Sequence, residues 1–448
     1  MKHTKPYVLV GIGGIGMSAL AHILLQEKAQ VIGIDSVRSS ITDELSAGGA
    51  CVYIGEELDL DKQSHLVVSS AIAQDHPVIQ QANKKQIPIW HRSELLRRLM
   101  EGKKVVAVAG THGKTSTSGL LAFLLGELGA DPSYAVGGLF NDERVHGKSG
   151  KGNLFVIEAD ESDGSFLNYT ADGAIITNLE SDHLDYWGTE QKLIQGFEQF
   201  VSTMSGKMPV FYCSSDPGLK QLSMKDGVSY GSDESADLKL LDIKNWENGQ
   251  LFSFSYKGRV YKDFFLPLIG KYQVLNALPC LGLLLELGFS CSLIGEKLKS
   301  FPGIKKRLQF LKVKNGVTFF SDYAHHPTAT KKTLQAVAEH YPGRKITCIF
   351  QPHRFSRMPL FLRCVKSPFS TINRCILFDV FSAGESYVKN EGKRLFHALE
   401  KWGHQERVFC KELVDFVQAD IQFEPEEIVI LMGAGNVHNW IEEVVAKA

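Results

Sequence analysis

The sequence carries almost no net charge. Its 49 lysines and arginines stand against 50 aspartates and glutamates, which leaves a formal net charge of -1. A general affinity for nucleic acid or for an anionic membrane needs an excess or a stripe of basic residues. We therefore expect no nucleic-acid partner, and we expect small molecules as the partners of this chain.

Long apolar runs are missing as well. The most apolar segment, residues 274–287, contains Asn276 and Pro279 and is too short to span a bilayer. Near the N-terminus the apolar run 7–10 gives way to glycines at once, unlike the core of a secretory signal. We expect no signal peptide, no membrane insertion and a cytoplasmic location.

Cysteine is present but follows no pattern. The eight cysteines include no CxxC pair and no metal-ligand spacing. Most of them lie in apolar runs, where a reduced and buried thiol is the usual state. The cysteines are Cys51, Cys213, Cys280, Cys291, Cys348, Cys364, Cys375 and Cys410.

What the sequence does contain is an alternation of predicted strands and helices that occurs in three successive regions. A length of 448 residues corresponds to about three domains. We predict an N-terminal Rossmann-like domain over residues 1–101 and a central P-loop ATPase-like domain over 102–302. The central domain has a small β insertion between about residues 202 and 270, and a C-terminal Rossmann-like domain covers 303–448.

Residues 103–117 predict a phosphate-binding loop. Val105–Ala109 is a β-branched apolar run typical of a buried parallel strand. After Gly110 the chain turns and enters a helix near Thr115, so backbone N–H groups and the helix dipole would attract phosphate. Lys114 would contact the outer phosphates and the Thr115 hydroxyl would bind Mg²⁺. The glycines are closer together than in the usual motif, but the strand and the helix favour a phosphate loop over an ordinary turn.

Two later strands predict acidic groups at the same sheet edge. The run 154–158 ends in Glu158, and the run 173–178 leads to an acidic stretch that contains His183. Carboxylates beside a phosphate loop hold Mg²⁺ in many nucleotide enzymes. A single acidic loop would indicate solvated surface. The phosphate loop and two acidic strand ends in one α/β unit together favour a functional site.

The first domain opens with a dinucleotide fingerprint. Glycines at 11, 13 and 16 follow a strand, and the next strand ends at Asp35. The pattern fits a pyrophosphate and a ribose, which both NAD and a UDP-sugar offer. Ser69 and Ser70 follow another strand, and there ligand contact and loop capping are equally consistent with the sequence.

Polar residues also follow each strand of the last region. Arg354 and Arg357 lie one helical turn apart, a spacing that suits a carboxylate or a phosphate. With His325, His326 and Glu385 after neighbouring strands, a binding edge is favoured over a solvated face.

Seven motifs occur in order along essentially the whole chain: GIGGIGMS, GTHGKT, EADESD, TNLESDH, DYAHHPT, QPHRFSR and MGAGN. In this set the chain resembles the Mur ligases. The resemblance implies ATP and Mg²⁺ as cofactors. It also implies ligation of L-alanine to the lactyl carboxylate of UDP-N-acetylmuramate through an acyl phosphate, the first amino-acid addition in peptidoglycan precursor synthesis.

The resemblance also implies roles for individual residues. The UDP-sugar would be bound by Gly13, Gly14, Gly16, Met17, Ser18, Asp35, Ser69, Ser70, His91 and Arg92. ATP would be bound by Gly110, Thr111, His112, Gly113, Lys114, Thr115, Ser116, Asn276, Arg307 and Asp322. The amino acid would be bound by Tyr323, His325, Arg354 and Arg357, and the metal by Thr115, Glu158 and His183. The catalytic residues would be Lys114, Glu158, His183 and His325, with His325 as a hypothetical base for the amine.

The chain departs from the family pattern at a few positions. Tyr272-Gln273 stands where His-Asn is usual, Lys306-Arg307-Leu308 where Arg-Arg-Phe is usual, and Ala329 and Asn436 replace common acids. Three alternatives stay open. One is a ligase that adds a preformed peptide to the same UDP-sugar in cell-wall recycling, one is an NAD-dependent oxidoreductase fused to a nucleotide-binding module, and one is a non-catalytic nucleotide switch. We expect a monomer or a weak dimer.

Overall fold

A computed structural model describes residues 5–141, 146–224, 226–401 and 406–448. Within these residues the chain forms three sheets of five, ten and six strands, all accompanied by helices, which confirms the predicted α/β class. It divides into two compact units. The first comprises Met1–Ile243, Phe252–Phe265 and Leu275–Pro302, and the second comprises Lys244–Leu251, Leu266–Val274 and Gly303–Ala448.

The first sheet is parallel and has the strand order β3-β2-β1-β4-β5. Its central strand is buried along its whole length, as expected of an apolar run covered on both faces. The order makes this a Rossmann-like sheet with its ligand edge at the carboxyl ends of the strands. Its elements are β1 Tyr7–Val10, α1 Ile15–Gln26, β2 Val31–Asp35, α2 Ser40–Ala47, β3 Cys51–Ile54, β4 His65–Val68, α3 Pro77–Lys85, β5 Ile89–His91 and α4 Arg92–Leu99.

The central sheet has the order β15-β14-β13-β12-β11-β10-β6-β9-β7-β8. The predicted β insertion extends this sheet at one edge. The elements are β6 Lys104–Ala109, α5 Lys114–Glu127, β7 Ser133–Ala135, β8 Gly147–Lys148, β9 Leu154–Glu158, β10 Gly173–Ile176, α6 Leu184–Trp187, α7 Glu190–Ser202, β11 Val210–Cys213, β12 Val228–Gly231, β13 Leu238–Trp246, β14 Gly249–Tyr256, β15 Arg259–Leu266, α8 Lys271–Glu286 and α9 Cys291–Leu298.

Strand β6 lies between β9 and β10, and all three strands are parallel. Val108 of β6 is opposite Glu158 of β9, and Ala109 is opposite Ile176 of β10. The two acidic segments therefore leave the sheet on either side of the turn that follows β6, as the sequence predicts.

The third sheet has the order β16-β17-β21-β18-β19-β20, with β16 antiparallel to β17 and the other pairs parallel. Strands β17, β18 and β21 are buried at every residue. The elements are β16 Gln309–Lys314, β17 Val317–Asp322, α10 Pro327–His340, β18 Ile346–Gln351, α11 Met358–Cys364, β19 Arg374–Phe378, α12 Glu391–Lys401, β20 Glu406–Cys410, α13 Leu413–Gln418, β21 Ile428–Gly433 and α14 Ile441–Ala446.

One apolar core runs through the first and central sheets. It joins residues of α1 and α4 to residues of β6, β9 and α7 without a break. Helix α1 also contacts β8 closely: a Cβ on Gly147 would overlap the carbonyl group of Ala19, and Ser149 N donates to Gln26 Oε1 at 2.7 Å. Among the described residues, no helix is long and apolar enough to cross a membrane.

Candidate active site

The turn after β6 has the backbone of a phosphate loop. Gly110 has φ +127° and Gly113 has φ +85°, a region that side chains other than hydrogen rarely adopt. Space is also short at both positions. A Cβ on Gly110 would overlap Thr177 Oγ1, and a Cβ on Gly113 would lie 2.8 Å from Asn276 Oδ1. The predicted ATP residue Asn276 therefore lies directly against the loop.

The β10 side of the loop is held by hydrogen bonds. Asn178 Oδ1 accepts the His112 N–H at 2.8 Å, and Asn178 Nδ2 donates to the His112 carbonyl at 2.8 Å. Glu180 N donates to Thr111 Oγ1 at 2.9 Å, and His112 Nε2 lies 2.8 Å from Glu180 Oε2. These hydrogen bonds constrain the loop conformation, which reduces the conformational entropy that a bound ligand would remove. Ser116 follows in the first turn of α5, half-buried.

Lys114 makes an ion pair that the sequence did not indicate. Its Nζ donates to Glu161 Oε2 at 2.6 Å and to the Gly110 carbonyl at 2.7 Å. Burial alone would lower the pKa of Lys114, but Glu161 and the neighbouring carboxylates more than offset this and raise it. Glu161 is only 1% exposed, and burial raises the pKa of its carboxyl to about 7.

The predicted metal residues lie around this pair. Thr115 Oγ1 donates to Glu158 Oε1 at 3.1 Å, and Glu158 Oε2 accepts the Gly137 N–H at 2.7 Å. His183 Nε2 lies 3.9 Å from Glu161 Oε1. That buried oxygen has no hydrogen-bond partner among the described residues, which is unusual for a carboxylate and fits a place beside a cation. The donor set of hydroxyl, carboxylates and imidazole suits Mg²⁺ that is also bound by phosphate and water.

In the first sheet, Asp35 holds the glycine turn. Its Oδ2 accepts the Gly13 N–H at 2.9 Å and its Oδ1 accepts the Val37 N–H at 3.1 Å. Gly14 caps α1, and a Cβ on Gly16 would lie 3.8 Å from Arg92 Cδ. The structure therefore brings the fingerprint glycines, Asp35 and Arg92 to the same edge.

Met17 and Ser18 differ from the other predicted UDP-sugar residues because both are buried. The Ser18 hydroxyl donates to the Gly14 carbonyl at 2.7 Å and lies 2.7 Å from His146 Nε2. His146 also lies 2.9 Å from the Ile15 carbonyl. The Ser18 side chain thus connects the start of α1 to the central sheet and does not point to the open edge.

A polar cluster joins the carboxyl edge of the first sheet to the loop after β9. Ser70 Oγ donates to Asp163 Oδ2 and lies 3.2 Å from His91 Nε2. Arg92 Nη2 donates to Asp163 Oδ2 at 3.2 Å and to Asp160 Oδ2 at 3.3 Å. Burial works to raise the pKa of Asp163, but Arg92 and the hydroxyl donors outweigh it and lower that pKa to about 2. Ser69, half-buried, lies next to the cluster.

In the second unit, Asp322 fixes two backbone turns at the end of β17. Its Oδ2 accepts the Leu308 N–H at 2.6 Å and its Oδ1 accepts the Ala324 N–H at 2.7 Å. Burial raises the pKa of Asp322 to about 6. Arg307 places its guanidinium 5.0 Å from the ring centre of Tyr323, a cation–π contact.

His325 is held in one tautomer. Its Nδ1 lies 2.9 Å from the Tyr323 carbonyl, which can only accept, so Nδ1 carries the proton and Nε2 keeps a lone pair. Burial, with Arg357 and other cations nearby, moves the pKa of His325 well below its ordinary value. Its ring lies 5.4 Å from that of His353, which stacks on Phe381 at 5.8 Å.

The two predicted arginines do not share a helical face. Arg354 has φ +68° and lies outside the helix, with its N–H donated to the Phe381 carbonyl at 2.8 Å. Arg357 ends a 3₁₀ turn, and its Nη1 lies 3.4 Å from His353 Nδ1. The 355–357 turn is held by Glu385, which accepts the Ser356 hydroxyl at 2.5 Å. The Arg357 side chain therefore lies against His353, and the Arg354 backbone is held at Phe381.

Several residues in these clusters had no role in the sequence prediction. They are Glu161, Asp163, Trp187 and His353. Trp187 Nε1 donates to the Glu161 carbonyl at 2.9 Å, so it links the two acidic segments. The acidic motif that contains Glu161 and Asp163 was recognised, but only the fold shows which acid faces which cation.

Family profiles match the chain in three consecutive pieces. The "Mur ligase family, catalytic domain" profile matches residues 6–104, the "Mur ligase middle domain" profile matches 108–284, and the "Mur ligase, glutamate ligase domain" profile matches 306–435.

Similar proteins extend over nearly the whole chain. A UDP-N-acetylmuramate–L-alanine ligase of Carboxydothermus hydrogenoformans is 36% identical to this chain. The match covers 98% of this chain and 96% of that protein. The bifunctional enzyme MurC/Ddl of Chlamydia pneumoniae is 37% identical over 98% of this chain, which spans 54% of that longer protein. The crystal structure of UDP-N-acetylmuramate-alanine ligase MurC from Thermotoga maritima is 25% identical, with a TM-score of 0.85 over 99% of this chain and 100% of that one. A phosphate loop flanked by acidic strand ends, three matching profiles and full-length relatives lead to one conclusion: the chain belongs to the Mur ligase family.

Proposed function

We propose that this protein joins L-alanine to the lactyl carboxylate of UDP-N-acetylmuramate at the expense of ATP. One observation carries the proposal: the loop after β9 contacts both predicted ligand edges. Glu161 of this loop binds Lys114 of the phosphate loop at 2.6 Å, and Asp163 binds Arg92 of the first sheet at 3.2 Å. A γ-phosphoryl group at Lys114 and a carboxylate of a bound UDP-sugar would therefore be close neighbours.

The first step joins two anions. The lactyl carboxylate attacks the γ-phosphorus of ATP, which gives an acyl phosphate and ADP. Protein groups must position the two anions and offset their repulsion, because phosphoryl transfer depends mostly on alignment and charge stabilisation. Lys114 is suited to the phosphate, since its raised pKa keeps it charged at neutral pH. The N–H groups of the Gly110–Thr115 loop would cradle the phosphates.

Magnesium, when bound, would neutralise developing charge on the transferred phosphoryl group. Thr115 and Glu158 would hold it on one side of the loop, and His183 marks a place for a second ion. Glu158 is already oriented by the Gly137 N–H, so its carboxylate needs little rearrangement.

The second step needs a neutral amine. The nitrogen of L-alanine attacks the acyl carbon, and phosphate leaves from a tetrahedral intermediate. His325 is suited to take the amine proton because its Nε2 keeps a lone pair and its lowered pKa leaves it neutral at pH 7. Tyr323, Arg354 and Arg357 would contact the amino acid and the acceptor carboxylate, and Arg307 and Asp322 would contact the nucleotide side.

The remaining parts of the proposal follow from these substrates. Residues 1–101, 102–302 and 303–448 would act as the UDP-sugar, ATP and amino-acid domains. The enzyme would work in the cytoplasm, where ATP is available, as a monomer or weak dimer with small-molecule partners alone.

Phosphate release from MgATP tests the assignment. Release that requires both UDP-N-acetylmuramate and L-alanine is the expected result. Release with the UDP-sugar and a preformed peptide, but not with L-alanine, would assign the chain to the peptide-adding ligases. A requirement for neither amino acid nor peptide would refute a ligase.

A further inference from the structure

The two carboxylate oxygens of Glu161 differ in their hydrogen bonds. Its Oε2 accepts from Lys114 Nζ at 2.6 Å, whereas Oε1 is buried and has no hydrogen-bond partner in the part of the chain that the structure describes. Oε1 faces His183, whose Nε2 lies 3.9 Å away. A carboxylate oxygen and an imidazole nitrogen at this separation leave room for a cation that contacts both, since Mg²⁺–oxygen bonds are about 2.1 Å long.

Glu158 differs in that both of its oxygens accept hydrogen bonds, and the proposed function assigns it to the first magnesium ion beside Thr115. Its Oε1 accepts the Thr115 hydroxyl at 3.1 Å and its Oε2 accepts the Gly137 N–H at 2.7 Å. Imidazole alone is a poor ligand for Mg²⁺, which prefers carboxylate, phosphate and water oxygens. A magnesium ion beside His183 therefore needs a carboxylate as well. Two are near: Asp182 Oδ2 lies 3.7 Å from His183 Nε2, and Glu161 Oε1 lies 3.9 Å from it. Of the two, Glu161 is the one paired with Lys114, so it is the carboxylate that a nucleotide bound at Lys114 would affect.

The charge balance of the site also favours a cation at Glu161. If Lys114 turns to the nucleotide phosphates, Glu161 loses its cation in a site where it is 1% exposed. An unpaired buried carboxylate beside phosphate is strongly unfavourable. A divalent cation at Oε1 would restore the balance.

We propose that Glu161 holds Lys114 in the nucleotide-free protein and becomes, through Oε1, a ligand of a second divalent cation beside His183 when the nucleotide engages Lys114. This inference rests on the proposed function, because it needs a nucleotide phosphate at Lys114. Trp187 is a positioning residue in it. The indole donates to the Glu161 carbonyl from the helix that follows His183, which keeps the two ligands together.

Electron paramagnetic resonance of Mn²⁺ tests the proposal without relying on turnover. The full chain is titrated with Mn²⁺ in the presence of a non-hydrolysable ATP analogue, and bound ions are counted. We expect two ions per wild-type chain and one per Glu161→Gln chain, with the second site weakened at least about tenfold, as loss of a charged ligand implies. Asp160→Asn is the matched control, since it removes the same charge from the same loop but contacts Arg92 and not His183. It should keep two ions.

Three results would overturn the proposal: a single ion on the wild-type chain, two ions of unchanged affinity on Glu161→Gln, or the same loss in Asp160→Asn. Circular dichroism establishes folding first. If Glu161→Gln does not fold, Glu161→Asp retains the charge but withdraws the oxygen, and retention of two tight ions by that variant would refute the role. Amino-acid-dependent phosphate release by the wild type is scored separately, so the proposed function can stand while this inference fails.

Discussion

Arg92 and Asp163 connect the carboxyl edge of the first sheet to the loop that also reaches the phosphate loop. The guanidinium donates to Asp163 Oδ2 at 3.2 Å and to Ser165 Oγ at 3.1 Å. Both charged side chains are largely buried. Under the proposed function, the acceptor carboxylate would approach the ATP phosphates near this pair, and substrate affinity can test that placement.

Arg92→Lys should raise the KM for UDP-N-acetylmuramate by about tenfold or more, because a lysine cannot reproduce the planar fork and each hydrogen bond to a charged group contributes about 1.5–3 kcal/mol. The KM for ATP should change little. Arg97→Lys on the same helix is the control, since Arg97 is exposed. Equal KM values for Arg92→Lys and the wild type would exclude Arg92 from the UDP-sugar site.

Gly110→Ala should abolish tight nucleotide binding. The added Cβ would lie 2.8 Å from the Asn178 carbonyl oxygen at φ +127°, so the loop must shift. We expect a loss of at least about 2 kcal/mol in the free energy of unfolding, from strain and crowding together. Gly129→Ala separates strain from crowding. Gly129 also has a positive φ, +78°, but no atom lies within 4 Å of an added Cβ, so that variant has the strain alone. It should cost about 1 kcal/mol and leave nucleotide affinity intact. Urea unfolding and analogue binding provide the two measurements.

His325→Ala should lower kcat by about 10²- to 10⁴-fold, the usual contribution of a positioned base. The pKa of His325 lies well below 6.5, so the imidazole is neutral above that pH and the wild-type rate should fall only in more acidic solution. The variant should lose this acidic limb. His397→Ala, at an exposed position, should match the wild type. An unchanged pH profile and alanine KM in His325→Ala would remove the base role.

Asp322 should make stability depend on pH. Its folded-state pKa of about 6 is above the ordinary value of 3.8, so the folded state binds the proton more tightly. The resulting stabilisation is complete below about pH 4 and is lost as pH rises through 6, by about 2–3 kcal/mol.

Asp322→Asn cannot titrate and should lack this decline, although the loss of one accepted N–H bond lowers its overall stability by about 1–3 kcal/mol. Urea unfolding at several pH values between 4 and 7 compares the slopes. Parallel slopes for the two proteins would contradict the assignment.

The sequence predicts the buried strands best. Strand β9, Leu154–Glu158, has the predicted bounds, because an apolar run that is buried on both faces of a sheet begins and ends where its apolar residues do. The edge strands Cys51–Ile54 and Gln309–Lys314 were not predicted. Their residues are mostly exposed or half-buried, so they belong to their sheets through backbone pairing that side-chain pattern does not reveal.

The sequence predicts which elements carry the candidate site better than it predicts which side chains contact each other there. Lys114 and Glu158 follow from a motif whose spacing fixes their place at the sheet edge. Glu161 does not, because its approach to Lys114 depends on the turn between residues 158 and 165. The helical spacing of Arg354 and Arg357 was wrong, because Arg354 has a positive φ and lies before the turn that contains Arg357.

The uninterrupted apolar core of the first and central sheets limits how the chain can be recombined. A fragment ending near residue 101 would leave bare the face of α1 that packs on β8, with Ser18 deprived of His146. Such a fragment should aggregate. Chimeras with relatives should fold only when α1 and the 146–149 segment come from the same parent. Exchanging the first hundred residues alone would separate these two surfaces.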